Sequence, residues 1–137
     1  MNNYHPVKLS FEVAYTYLYV YTKFNTEDNL KAPRLHKSAE YSLNHFENKA
    51  SNIDWYKLST INACELNIPE WLPVNRRYQT SLSITPEINK KIENFMDIVS
   101  INFKENKKRP PYKASIIKLL FRAVIAEDLG ILPYKNS

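Results

Sequence analysis

Glycine is almost missing from this chain, with Gly130 the single one in 137 residues. Glycine-rich phosphate loops and folds built on tight hairpins both depend on backbone that glycine adopts most readily, so neither is expected. Cysteine is equally scarce. With Cys64 alone, no disulfide can close within one chain, and a reducing, intracellular setting is the natural reading. Long apolar runs are lacking as well. The most apolar stretch, Val13 to Val20, contains Thr16 and several tyrosines, and is too short and too polar to span a bilayer. The first residues, Met-Asn-Asn-Tyr-His-Pro-Val-Lys, hold no basic stretch leading into an apolar run, so neither a secretory leader nor a membrane partner is expected. There is no internal repeat and no low-complexity tract.

Catalytic constellations are also lacking. No Ser-His-Asp, Cys-His, phosphate-loop or metal pattern stands out. His36 and His45 lie nine apart without a cysteine or carboxylate at metal-ligand spacing. Cys64 falls on an apolar face, where a buried, inert thiol is expected. Glu127 and Asp128 are adjacent carboxylates at a helix end, with no convergent base in view. The expectation is a protein that is not an enzyme, with no catalytic residue, metal or cofactor.

The apolar fraction of 44% is enough to bury a core. The net charge of +5 is unevenly spread. Residues 1–75 hold seven Lys/Arg against eight Asp/Glu, a net of −1, and residues 76–137 hold twelve against six, a net of +6. A positive excess confined to one half suggests a polyanionic partner for that half.

Prolines mark the joints. In Val7–Phe24 the odd positions from Val7 to Tyr21 are apolar or aromatic and most even positions are polar, which is a strand pattern. A strand of that length without a turn residue is far longer than the usual five or six residues. A helix capped by Ser10 removes the difficulty, with Phe11, Ala14, Tyr15 and Leu18 on one face. The tyrosines of this stretch read as core or protein interface more readily than as a base-stacking platform. Arg34–Ala50 is predicted helical from Leu35, Ala39, Leu43, Phe46 and Ala50, and Asn52–Leu66 is a further candidate. Pro69 and Pro73 then set a linker and the domain boundary.

Beyond the linker, Tyr78–Thr85 is a short β-prone run. Thr85 caps a helix that has Pro86 in its first position and Glu87 beside it. Ile88, Ile92, Phe95, Val99 and Phe103 form its apolar stripe. Lys104–Lys113 breaks it. A last helix from about Lys113 to Asp128 turns Ile116, Ile117, Leu120, Phe121, Val124 and Ile125 inward, and Gly130 stops it. A lone short strand needs a partner, and pairing with its copy in a second chain would make a two-stranded ribbon that fits the major groove of B-DNA.

On these residues the part from Arg76 to Ala126 resembles the ribbon-helix-helix family of bacterial, phage and plasmid regulators. The resemblance rests on Arg77–Thr85 followed by Pro86 and Glu87, on the Ile88, Ile92 and Phe95 stripe, and on Lys113–Leu120, about fifty of the 137 residues. The chain departs from the family in its long first helix or loop, in having no glycine between the helices, and in carrying Tyr112 near the expected cap. The resemblance implies a mainly α chain with one short β-strand forming an intermolecular ribbon: residues 76–137 would be a ribbon-helix-helix DNA-binding domain, and residues 1–75 a mostly helical interaction or oligomerisation region. It implies base contacts by Arg77, Gln79, Ser81 and Ser83, and phosphate contacts by Arg76, Lys107, Lys108, Arg109, Lys113 and Ser115. The partners would be double-stranded DNA, a second copy of the chain, and a protein bound by residues 1–75. The expected role is a cytoplasmic, nucleoid- or plasmid-associated homodimer acting in transcription regulation as a repressor, or as an accessory factor of a plasmid or mobile element. The alternative is a protein-binding module, or an inhibitor of a host nucleic-acid enzyme, without base-specific readout.

Overall fold

A computed structural model describes residues 11–25, 35–68 and 85–135. Five α-helices follow one another: α1 (Phe11–Phe24), α2 (Leu35–Phe46), α3 (Trp55–Thr60), α4 (Pro86–Glu105) and α5 (Lys113–Asp128). Short 3-10 turns at Ala50–Asn52 and Ala63–Leu66 flank α3.

Helix α5 lies at the centre. Ten of its sixteen residues are buried, including Ala123, Ala126 and the charged Arg122. A helix apolar around most of its circumference has to be covered on several sides, and α5 touches α1, α2, α3 and α4. One buried cluster runs from Val13 through Phe46, Trp55, Ile92 and Phe121 to Leu132. Phe46 and Phe95 stand edge-on to the Trp55 ring at 6.1 and 5.0 Å, which joins α2, α3 and α4 through one fully buried indole. Its Nε1 donates to the carbonyl of Ala50 at 2.9 Å, so the indole is buried without leaving its donor unpaired.

Local signals set most of the boundaries. The Thr85 hydroxyl accepts from the amide of Ile88 at 3.2 Å, and Pro86 opens α4. Ile88, Ile92, Phe95, Val99 and Phe103 are all buried, as their spacing predicts. Gly130 has φ +74, with Gly130 N–H bonded to Glu127 and Ile131 N–H to Ala126, which is a Schellman end to α5. Helix α4 ends in the same way, but with Lys107 in the left-handed position at φ 57: Lys107 N–H bonds Lys104, and Lys108 N–H bonds Phe103.

Several expectations are corrected. The predicted fold class, with its short β-strand in an intermolecular ribbon and a C-terminal ribbon-helix-helix, is not found. Among the described residues there is no strand, and the extended pairing present is an isolated antiparallel bridge between Ile53 and Tyr134. Arg77–Ile84, which carried the ribbon expectation, lies outside the described residues. Thr85, the last residue of the predicted strand, acts as a helix cap. The physical reason lies in α5. A ribbon-helix-helix would leave that helix to pack on a second copy, whereas here the helices of the same chain's N-terminal half cover it. The linker placed at Pro69 and Pro73 is also outside the described residues, and the core is continuous across the sequence on either side of it.

In α1 the helical reading holds, but the buried face is Val13, Thr16 and Val20, while Tyr15 is exposed. The side chains of Phe11, Ala14 and Leu18 are not among those described. The helix predicted over Asn52–Leu66 is split into α3 and a 3-10 turn, and Cys64 is exposed rather than buried. No helix among the described residues is long and apolar enough to cross a membrane.

Candidate nucleic-acid interface

Three clusters of polar side chains stand out. The first is buried. Arg122 of α5 meets Glu12 of α1 through two bonds, Nε to Oε2 at 2.9 Å and Nη2 to Oε1 at 2.8 Å. Its Nη1 also donates to the carbonyl of Ile61 at 2.6 Å. This ties α1, α5 and the end of α3 together in low dielectric, where such a pair is expensive to break. Its partners are 110 residues apart, and neither stood out in the sequence.

The second cluster closes the C-terminal end of α5. Glu127 takes Lys49 and His45 of the α2 region, and Asp128 takes Lys23 and Tyr19 of α1. The expectation that these carboxylates lack a convergent base is thereby corrected, since the bases arrive from distant helices. Burial pushes the Glu127 carboxyl up, but hydrogen bonds from Lys49 and His45 outweigh it and the net shift is downward. Asp128 follows the same balance, with Lys23 and Tyr19 lowering it. Tyr19 is pushed up to about 12, chiefly by its hydrogen bond to Asp128. Carboxylates held ionised in this way are poor proton carriers near neutrality. The cluster acts as a clasp that holds α1 and α2 to an α5 terminus whose dipole disfavours acidic residues. Among the described residues no group of three or more His, Cys, Asp or Glu could hold a metal ion.

The third cluster is the connection from α4 into α5. Residues 104–118 carry six Lys/Arg and one Glu, a net of +5, which equals the net charge of the whole chain; the other residues hold thirteen of each sign. Lys104, Lys107, Lys108 and Arg109 are exposed. Among the described residues no carboxylate lies within ion-pair distance of Lys104, Lys107, Lys108, Arg109, Lys113 or Lys118, whereas Lys23, Lys37, Lys49, Arg122 and Lys135 each have one. Part of this charge serves α4, because cations in a last helical turn complement the macrodipole. The rest has no acidic counterpart.

Local chemistry presents these side chains outward. Pro110 and Pro111 prevent α4 from running on into α5. Tyr112 takes the N-cap position of α5 in extended backbone, and its side chain makes no capping bond. The first amides of α5, around Lys113 to Ser115, therefore lack a side-chain cap at the positive end of the helix dipole. The Lys113 Nζ donates to Asn89 Oδ1 at 2.6 Å, which anchors it on α4 without cancelling its charge.

Of the residues predicted to contact phosphate, Lys107, Lys108, Arg109, Lys113 and Ser115 are thus gathered in one connection. Arg76, and the predicted base contacts Arg77, Gln79, Ser81 and Ser83, lie outside the described residues. Lys104, Tyr112 and Lys118 belong to the same surface and were not singled out, although the charge run from Lys104 to Lys113 was visible. Compared with models of known families, with curated proteins and with solved structures, the chain matches none.

Proposed function

We propose that this protein binds double-stranded DNA by its phosphate backbone, through the connection between α4 and α5. The observation that carries the reading is the concentration of unpaired cations at residues 104–118, beside uncapped amides at the start of α5. Cations without acidic partners are free to displace the counterions condensed on a duplex. Amides at a helix start donate to a phosphate oxygen where a side-chain cap would otherwise accept. Contacts of this kind set position and affinity and carry no sequence readout of their own. A regulatory or plasmid-accessory role would be built on such binding.

The test is the affinity for a short duplex measured across a range of salt. With all six cations of residues 104–118 engaged, log K falls against log salt with a slope of about −5. Replacing Lys107 and Lys108 together by Gln should reduce that slope by about 2 and weaken binding evenly across DNA sequences. Binding that ignores these two substitutions would place the interface elsewhere.

A second reading, a protein-binding module, has its own observation. Tyr15, Tyr19, Ile68, Ile125 and Leu129 line an apolar groove of about 360 Å³ between α1 and the end of α5. Tyr15→Glu should abolish capture of a protein partner at that groove and leave DNA affinity unchanged.

A further inference from the structure

A cleft of about 180 Å³ opens beside the basic connection, between α3, α4 and α5. Phe103, Pro111 and Leu119 give it apolar walls, and Ser59, Ser115 and Lys118 give it polar ones. Arg122 also lines it, but its charge is already committed to Glu12. Lys118 is the cation left to a ligand. The rim is as telling as the cleft. Tyr112 stands in the chain between Pro111 and Ser115, and at 66% exposure it is the most exposed large apolar or aromatic side chain among the described residues. Its ring neither packs into the core nor caps α5. The Arg109 guanidinium lies over it, 5.3 Å from the centroid, and bonds its hydroxyl.

Backbone contact with a continuous duplex uses the cations, but neither the Tyr112 ring nor the apolar walls of the cleft. The bases of a duplex are stacked on one another and offer no face to a tyrosine, and the apolar walls of Phe103, Pro111 and Leu119 give a phosphate nothing. An unpaired base offers both a π-face and an edge. Interleaved aromatic and cationic side chains are the arrangement that holds single strands.

We infer that Tyr112 and the adjoining cleft take unpaired bases, so that the protein prefers nucleic acid with a single-stranded overhang or gap to continuous duplex. This rests on the DNA-binding reading above and adds a substrate class to it. One base stacks on the open side of Tyr112. Its neighbour enters the cleft against Phe103 and Leu119, and the Ser59 and Ser115 hydroxyls and Lys118 bond its edge or its phosphate. Stacking is tolerant of base identity, so the preference is for strandedness and not for sequence.

Fluorescence anisotropy on three labelled DNAs tests this: a blunt duplex, the same duplex with a short single-stranded overhang, and a single strand. The overhang should bind at least about fivefold tighter than the blunt duplex, which is the low end of one stacked base. Tyr112→Ala should erase that difference, bringing the overhang to the affinity of the blunt duplex measured on the same variant, because duplex bases expose no π-face. Tyr112→Phe keeps the ring and should keep the preference. Ser59→Phe, placed on an exposed position of α3, fills the cleft and should reduce the preference part of the way. Circular dichroism confirms that each variant is folded. Equal binding of all three DNAs overturns the inference and leaves backbone binding standing, as does a preference that survives both Tyr112→Ala and Ser59→Phe. Failure to bind any of the three at low salt overturns the DNA-binding reading together with it.

Discussion

Arg122→Met is the substitution from which the tertiary structure predicts most. The side chains of Arg122 and Glu12 are only 8% and 12% exposed. Removing the guanidinium leaves the Glu12 carboxylate without its two charge-assisted bonds and the Ile61 carbonyl without its 2.6 Å donor. A buried charge stripped of its partner costs about 3–5 kcal/mol, and the orphaned carbonyl adds up to about 1 kcal/mol that is not independent of it. The double variant Glu12→Met, Arg122→Met removes both charges at once. Only the Ile61 carbonyl then loses its donor, so it should lie within about 1–2 kcal/mol of the parent. Urea unfolding followed by circular dichroism measures all the species needed for a double-mutant cycle. An Arg122→Met cost below about 1 kcal/mol would refute the reasoning. So would a double variant as unstable as Arg122→Met alone, because the penalty would then come from lost packing and not from the stranded carboxylate.

Lys107→Gly should raise stability by about 0.5–1 kcal/mol, since Lys107 adopts φ 57 where a side chain is strained and glycine is not. Its urea midpoint should rise, while the salt slope for DNA shrinks by about 0.9 as one cation is removed. Acid sensitivity should arise in part from the clasp at the end of α5. The Glu127 and Asp128 carboxyls sit below their ordinary values of 4.5 and 3.8. Their contribution is therefore complete above those values and is lost as pH falls through the lower folded ones. The double variant Glu127→Gln, Asp128→Asn should flatten the loss of stability below about pH 5 in a pH series of thermal unfolding. An acid limb unchanged in that variant would assign the effect to other carboxylates.

Most helices were legible in the sequence because their signals are local. Thr85, Pro86 and Glu87 announce the start of α4, a stripe at spacings of four and three announces its inner face, and Gly130 announces the end of α5. Tyr15 is exposed against expectation because the alternating tyrosines of α1 suit several faces equally. Which of them is buried was decided by contact with α2 and α5. Cys64 was assigned to a core for the same reason, and a break in the helix around it left it exposed. The candidate interface was half legible. Lys107, Lys108, Arg109 and Lys113 form a visible run, but their lack of acidic partners, and the exposure of Tyr112 beside a cleft, depend on what the rest of the chain brings near.

The sequence by itself determined most of the helical stretches, the cap of α4 and the stop of α5, and the placing of the positive charge, because each depends on residues within a few positions of one another. The tertiary structure alone decided that α5 is covered by helices of its own chain, that Glu12 answers Arg122, and that Lys23, His45 and Lys49 answer Asp128 and Glu127. Those partners are separated by 78 to 110 residues. No periodicity links positions that far apart; only the burial of a nearly all-round apolar helix brings them together.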